Sequence, residues 1–213
     1  MIPLVFLGST IGYYQVEKLL QESIHRELEV SAKSVVNLIR TSAKISVKNR
    51  LAAIAEKNLD IARYYYGKYE RGLMTREETI AIIEEIFLSQ PVGLSGYIYC
   101  LDSKGMVTVH PQSAVKNSDV SAFGFVQQQL AMKTGYIEYD WKNPGENTAR
   151  PKALYMVYFK PLDWIISVSS YREEFNHLVD ISDFRESILT HRSGKSGYAY
   201  VVDELGVGLI HPT

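Results

Sequence analysis

Apolar residues recur at helical spacing through the first third of the chain: Leu20, Ile24, Leu28, Val35, Leu38 and Ile39, then Leu51, Ile54, Ile61 and Ala62. From Tyr13 to Tyr66 there are 54 residues with no Gly and no Pro. This predicts one continuous helix of roughly 80 Å at about 1.5 Å per residue, longer than an ordinary globular helix and suited to a stalk or spine over residues 15–66. Ile45, Val47 and several Ser and Thr residues blur the heptad, which argues against a strict coiled coil. Met1 to Tyr14 carries no charge. It is shorter than the ~20 apolar residues that cross a bilayer and lacks the basic opening of a signal peptide. Residues 1–14 therefore read as the outer end of a transmembrane segment or, alternatively, as a buried N-terminal helix turn.

After Gly67, which is expected to end the helix, the pattern changes. Thr75-Arg-Glu-Glu78 is a capping box ahead of Ile80, Ile82 and Ile83, and this second helix should stop before Pro91. Strands are predicted at about 97–101, 106–110, 136–141, 152–160 and 164–170. A short helix from about Phe123 to Lys133 stands between the second and third. Asn143-Pro-Gly145 and Lys160-Pro-Leu-Asp163 have turn chemistry. The sum is an α+β module over residues 67–175, a long N-terminal helix packed on a five-stranded antiparallel sheet. The amphipathic residues Phe175, Leu178, Ile181, Phe184 and Ile188 predict a connecting helix within 176–213.

One stretch occurs twice. Residues 93–111 (GLSGYIYCLDSKGMVTVHP) and 194–212 (GKSGYAYVVDELGVGLIHP) agree at nine of nineteen positions at a fixed offset of 101. So long a period suits two copies of a small domain rather than a solenoid, and predicts that residues 176–213 hold the start of a second module. Within each copy, alternation about the Asp-x-x-Gly turn predicts Leu101 opposite Met106, Tyr99 opposite Thr108 and Tyr97 opposite His110 on one face. Ile98, Cys100, Val107 and Val109 take the other. Tyr198 and His211 form the equivalent pair.

Composition narrows the functions available. A formal charge of −1 with interspersed signs gives no footprint for nucleic acid. Cys100 is the single cysteine, which excludes an intramolecular disulfide and a cysteine zinc cluster; no cofactor is expected. His177 and His191 are spaced too widely for a helical metal pair. No nucleophile, base and orienting group stand together, so the chain is not expected to be an enzyme: Ser95 and His110 lack a third member, and Glu173 and Glu174 are expected on a solvated helix face. Fifteen tyrosines supply flat apolar surface with polar tips. Ile137, Tyr139 and Trp141 share one strand face. In the fourth strand Tyr155 alternates away from Lys152, a residue that would commonly be solvated at a strand end. Aromatic walls with an imidazole and an ammonium suit a small anion. A purely structural role for the Tyr/His pair, closing a strand and filling a core, is the competing reading.

The order and spacing of Tyr64-Tyr-Tyr66, Gly72-Leu-Met-Thr-Arg-Glu-Glu78, Gly96-Tyr-Ile-Tyr99, Asp102-x-x-Gly105, His110-Pro111, Tyr139-x-Trp141, Pro151-Lys152-x-x-Tyr155 and Asp163-Trp164-Ile-Ile with Ser170-Tyr171 resemble bacterial Cache sensor domains of the single-Cache type. The resemblance runs from about Ala62 to Phe175, with a second Cache-like copy after it. It implies a PAS-like sheet outside the cytoplasmic membrane, in the periplasm or exterior, preceded by a helix continuous with a membrane span. It further implies a small-molecule ligand such as a carboxylate or amino acid, a homodimer through the N-terminal helix, and output to a chemoreceptor, histidine kinase or cyclic-dinucleotide domain. By motif, the implied ligand-binding positions are Tyr97, Tyr99, His110, Tyr139, Trp141, Lys152 and Tyr155. Tyr99 departs from the tryptophan often found there. A non-binding dimerisation spacer is the alternative function.

Overall fold

A computed structural model describes residues 2–142, 147–178, 181–190, 192–193, 196–203 and 205–212. The Asn143-Pro-Gly145 turn and His191 lie outside the described residues, as does the side chain of His177. The chain divides into two compact units, residues 44–179 and residues 1–43 with 180–213.

Helix α1 spans Ile2–Glu70 without interruption. Gly67 does not end it, because one glycine inside a helix costs only about 1 kcal/mol. Termination falls at Gly72 (φ 70°), where the Gly72 amide bonds the Tyr69 carbonyl and the Leu73 amide bonds that of Lys68. That pair of bonds is a Schellman closure, which requires the left-handed conformation glycine adopts without strain. Helix α2 (Arg76–Leu88) starts at the expected capping box, with Thr75 and Glu78 exchanging both bonds.

In the unit of residues 44–179, five strands follow: β1 (Tyr97–Leu101), β2 (Val107–Val109), β3 (Gly135–Trp141), β4 (Arg150–Phe159) and β5 (Trp164–Tyr171). They form one antiparallel sheet in the order β2-β1-β5-β4-β3. Helix α3 (Gly124–Met132) connects β2 to β3. Every residue of β5 is buried, as expected of the central strand. One sheet face carries Ile98, Cys100, Val109, Val157, Ile166 and Val168 and packs against Val47, Leu51, Ala55 and Ala62 of α1 with Ile83 and Phe87 of α2. The i, i+4 spacing of 47, 51 and 55 sets the helix stripe that the sheet covers. Against the other face lie α3 and the 110–123 connection, closing over Tyr99, Leu101, Val107, Ile137, Leu154, Met156 and Ile165.

The β1–β2 register corrects the sequence expectation. Leu101 pairs with Val107 and Cys100 with Val109, with a bulge between them. Asp102 Oδ1 accepts the Lys104 and Met106 amides at 2.9 and 2.8 Å, and the Asp102 amide donates to the Met106 carbonyl. Met106 is thereby drawn into the loop instead of facing Leu101. The extra residue at the bulge moves Val107 to the aromatic face and leaves Val109 on the helix-facing one.

In the other unit, the connecting segment is a 3-10 turn (Ile181–Phe184) followed by helix α4 (Arg185–Leu189) rather than one long helix. Strands β6 (Arg192–Ser193) and β7 (Gly197–Tyr198) pair, as do β8 (Val201–Val202) and β9 (Gly208–Ile210). On its portion of α1, Leu20, Ile24 and Leu28 are exposed.

Candidate functional site

The face of the sheet beneath α3 is organised in rows fixed by strand pairing. Tyr171, Lys152 and Tyr139 form one row, since Lys152 pairs with both neighbours. The next holds Tyr97, Ser169, Leu154 and Ile137, then Tyr99, Ser167 and Met156, then Leu101 and Ile165. Partners in an antiparallel pair share a face, so Lys152 belongs to the aromatic face and Tyr155 does not. Tyr155 packs instead on the helix-facing core, beside Tyr136, with Val168 as its β5 partner. It is removed from the site by simple alternation along β4.

Lys152 is not a solvated strand-end residue: it is fully buried, because Arg150 and Pro151 extend β4 beyond it and β3 and β5 flank it. Its Nζ lies 4.2 Å from the centre of the Tyr97 ring and 5.3 Å from that of Tyr171, a cation held over two aromatic faces. The His110 ring is 5.1 Å from Tyr97 and 6.2 Å from Tyr99, centre to centre. The bulge that shifted the register also returns His110 to this side. Burial lowers the His110 pKa and the nearby Lys152 charge lowers it further, against the opposing pull of the Gln112 carbonyl oxygen, 3.3 Å from Nδ1, which favours a protonated ring. The ring is therefore neutral at pH 7. In the neutral ring Nδ1 accepts the Gln112 amide at 3.0 Å, a contact shorter than its 3.3 Å approach to the Gln112 carbonyl and one in which the N–H can only donate, and this places the remaining proton on Nε2.

Burial pushes the Tyr99 and Tyr139 hydroxyls up, so both stay protonated and able to donate. Tyr99 donates to Gln129 Oε1 at 3.1 Å, and Ser167 to the same oxygen at 2.8 Å, pinning α3 to the sheet. Phe125 stacks on Tyr139 at 4.2 Å with rings parallel, and Trp141 closes on Phe125 at 5.3 Å. Together these groups enclose a cavity of about 60 Å³ whose remaining walls are Leu101, Val107 and side chains of the 110–126 segment.

Six of the seven expected positions thus meet around one cavity: Tyr97, Tyr99, His110, Tyr139 and Trp141 line it, and Lys152 lies behind Tyr97. Sequence reasoning missed Val115, Val120, Phe123 and Phe125, which line it from the irregular connection and the start of α3. An irregular segment offers no periodicity to read. The aromatic pair around Gly124 was the available signal.

Glu174 is the second surprise. It is buried rather than solvated, and its carboxylate accepts the Leu94 and Ser95 amides at 3.0 and 3.1 Å, the Ser170 hydroxyl at 2.6 Å and the Ser95 hydroxyl. Burial raises its pKa, but these donors from Ser170, Ser95 and Leu94 outweigh it and hold the group below the usual carboxylate range. Gly93 and Gly96 are the space for this. A Cβ on Gly96 would lie 2.3 Å from the Val92 carbonyl oxygen and 2.4 Å from that of Ser169. The Gly-x-Ser-Gly part of the repeated stretch is thus an anchor that fixes where β1 begins, one residue before Tyr97. It also engages Ser95 with Glu174, not with His110.

The chain matches the Cache domain family (dCache_2) over residues 13–213 and belongs to it. No curated protein matches its sequence. Among solved structures it is similar to a periplasmic sensor domain of a chemotaxis protein, with a TM-score of 0.52 and 19% identity, covering 58% of this chain and 94% of that one. It is also similar to a Cache chemosensory domain described for carboxylic acid recognition, with a TM-score of 0.53 and 20% identity, covering 63% and 96%. A methyl-accepting chemotaxis protein from Vibrio parahaemolyticus gives a TM-score of 0.51 at 16% identity, covering 70% and 98%. These likenesses establish the PAS-like α+β fold.

Proposed function

We propose that the chain is the extracytoplasmic ligand-sensing part of a bacterial transmembrane receptor. It would bind a small anion between Tyr97, Tyr99, His110, Tyr139, Trp141 and Lys152. The observation that carries this reading is the buried Lys152 ammonium beside Tyr97, joined on the same face by the Nε2–H donor of His110. A buried positive charge in a low-dielectric wall attracts a carboxylate far more strongly than an exposed lysine does. The solved Cache domain described for carboxylic acid recognition supports the same class of ligand. In this reading the domain faces the periplasm or exterior, and residues 1–14 are the end of a membrane-crossing segment. No helix among the described residues is itself long and apolar enough to cross a membrane. The exposed Leu20, Ile24 and Leu28 stripe on α1 would pack against a second copy. Residues 176–213 would begin a second Cache-like module, and the output would be a chemoreceptor, a histidine kinase or a cyclic-dinucleotide enzyme. Signal would arise from a difference in ligand affinity between two arrangements of the sheet and its helices.

A second reading, a dimerisation spacer that binds nothing, draws on the cavity's size. About 60 Å³, walled by the Phe125–Tyr139 stack, is well below the several hundred Å³ of ordinary ligand pockets. Calorimetric titration with acetate and propionate, with His110→Ala beside the parent, separates the two. The sensor reading expects binding, an apparent stabilisation of about 2.7 kcal/mol at a hundred-fold excess over Kd, and a loss of at least ~10-fold in the variant. No heat and no thermal shift with either acid at millimolar concentration would favour the spacer.

A further inference from the structure

We infer that Arg172-Glu173-Glu174 is a coupling turn. Its three consecutive side chains tie the segment leaving β5 to β3, to β4 and to the loop that opens β1, so that this segment and the aromatic face shift together. The three residues begin a 3-10 helix over Arg172–Leu178. At three residues per turn, successive side chains point about 120° apart, so neighbours in sequence can address three different elements. Arg172 Nη1 lies 3.4 Å from Glu138 Oε2 on β3. Glu173 pairs with Arg150 at the start of β4. Glu174 accepts the Leu94 and Ser95 amides and the Ser95 and Ser170 hydroxyls. Phe175, the next residue, plants the turn in the helix-facing core.

Each partner stands beside a residue of the aromatic face. Glu138 directly precedes Tyr139; it also accepts the Tyr136 hydroxyl at 2.7 Å and lies 3.3 Å from Lys44 Nζ on α1. Arg150 is the β3–β4 partner of Trp141, and its guanidinium lies 3.7 Å from the centre of the Tyr171 ring. Leu94 and Ser95 run through Gly96 into Tyr97, and a Cβ on Gly96 would meet the Ser169 carbonyl oxygen at 2.4 Å. With no slack at Gly96, a shift of Ser95 reaches Tyr97. A half-exposed ion pair holds little by itself, and those of Arg172 and Glu173 are of that kind. Joined in one turn to the buried Glu174 carboxylate, they open as one unit.

The test is amide hydrogen exchange on Arg172→Ala, Glu173→Ala and the double variant. Both side chains are exposed, so none of these changes threatens the fold. The readout is the Leu94 and Ser95 amides, whose acceptor, Glu174, is left in place. They should exchange about three-fold faster in each single variant and about ten-fold faster in the double, because losses add in a unit that opens together. The Met106 amide, held by Asp102 at the other end of β1, should keep its parent rate. Leu94 and Ser95 unmoved would mean three independent contacts, and an equal rise at Met106 would mean a general loss of stability; either result overturns the coupling turn. The tie to the aromatic face is read at the His110 ring, which packs 5.1 Å from that of Tyr97. Its ring proton shifts should move in Glu174→Gln, which replaces one accepting oxygen by a donor, and by a smaller amount in the double variant, which serves if Glu174→Gln does not fold. His110 shifts identical to the parent's would overturn that tie. Neither measurement uses a ligand, so this inference stands or falls separately from the sensor reading.

Discussion

The two copies of the repeated stretch have the same local structure and different surroundings. Cys100 pairs with Val109 and Leu101 with Val107; 101 residues on, Val201 pairs with Ile210 and Val202 with Gly208, with the bulge in the same place. Asp203 Oδ1 accepts the Leu205 and Val207 amides at 2.9 and 2.8 Å, matching Asp102 in both bonds. The aromatic trio repeats too. Tyr97–Tyr99, Tyr97–His110 and Tyr99–His110 stand at 6.0, 5.1 and 6.2 Å, and Tyr198–Tyr200, Tyr198–His211 and Tyr200–His211 at 6.4, 5.3 and 5.9 Å. Yet Tyr99 is 7% exposed and Tyr200 59%. The hairpin is thus specified by its own few residues, whereas a closed cavity needs β3, β4, β5 and α3 around it. Holding Tyr, Tyr and His together is local chemistry; making them a site is tertiary.

The contrast should be widest in backbone protection. Strand β1 is flanked by β2 and β5, whereas β8 and β9 pair only with each other among the described residues. An isolated two-stranded ribbon is marginal in water, so amides of 98–101 should exchange at least ~10³-fold more slowly than those of 201 and 202. Equal protection would mean that the second hairpin has a covering we do not assign. The loop glycines sharpen the point. Gly105 and Gly206 both have positive φ, 90° and 81°, and Ala at either costs about 1 kcal/mol in backbone strain. A Cβ on Gly105 would also meet Ser121 Cβ at 2.8 Å and Cα at 3.0 Å, while one on Gly206 meets nothing within 4 Å. In urea denaturation, Gly105→Ala should cost about 3 kcal/mol and Gly206→Ala about 1 kcal/mol or less. Similar losses would show that the turn, not its surroundings, governs the cost.

What the sequence made legible follows the same division. The capping box at Thr75, the five strands and the meeting of Tyr97 with His110 all rest on local periodicity or spacing, and all are present. The predicted partners of β1 were off because a hydrogen-bonded Asp side chain widened the loop, and a bulge then restored His110 to the expected face. Alternation alone separated Lys152 from Tyr155; only the pairing of Lys152 with Tyr139 and Tyr171 decided which of the two joined the aromatic face. Glu174 was misread because its donors, Leu94, Ser95 and Ser170, come from two other segments. Val115, Val120 and the Phe125 stack come from an irregular connection, where no period exists to be read.

The smallest predicted difference is a single proton. In the first copy the Gln112 amide donates to His110 Nδ1, so the neutral ring carries its hydrogen on Nε2. In the second, His211 Nδ1 stands 2.5 Å from the Pro212 carbonyl, to which it can only donate, and Nε2 accepts the Tyr198 hydroxyl at 3.1 Å. Nitrogen-15 shifts of the two imidazoles should therefore report opposite tautomers at neutral pH. The His110 resonances should titrate below the usual 6.5, because burial and Lys152 disfavour its charged form. The sign for stability follows from proton binding. Between the depressed folded value and 6.5 the unfolded chain holds more protons at this position, so stability is full above 6.5 and declines as pH falls through that window. His110→Ala should remove that part of the slope and leave the His211 tautomer untouched. The same tautomer at both rings would mean that the repeated trio is equivalent in chemistry as well as in geometry, and would dismiss the His110 donor as a feature made by its surroundings.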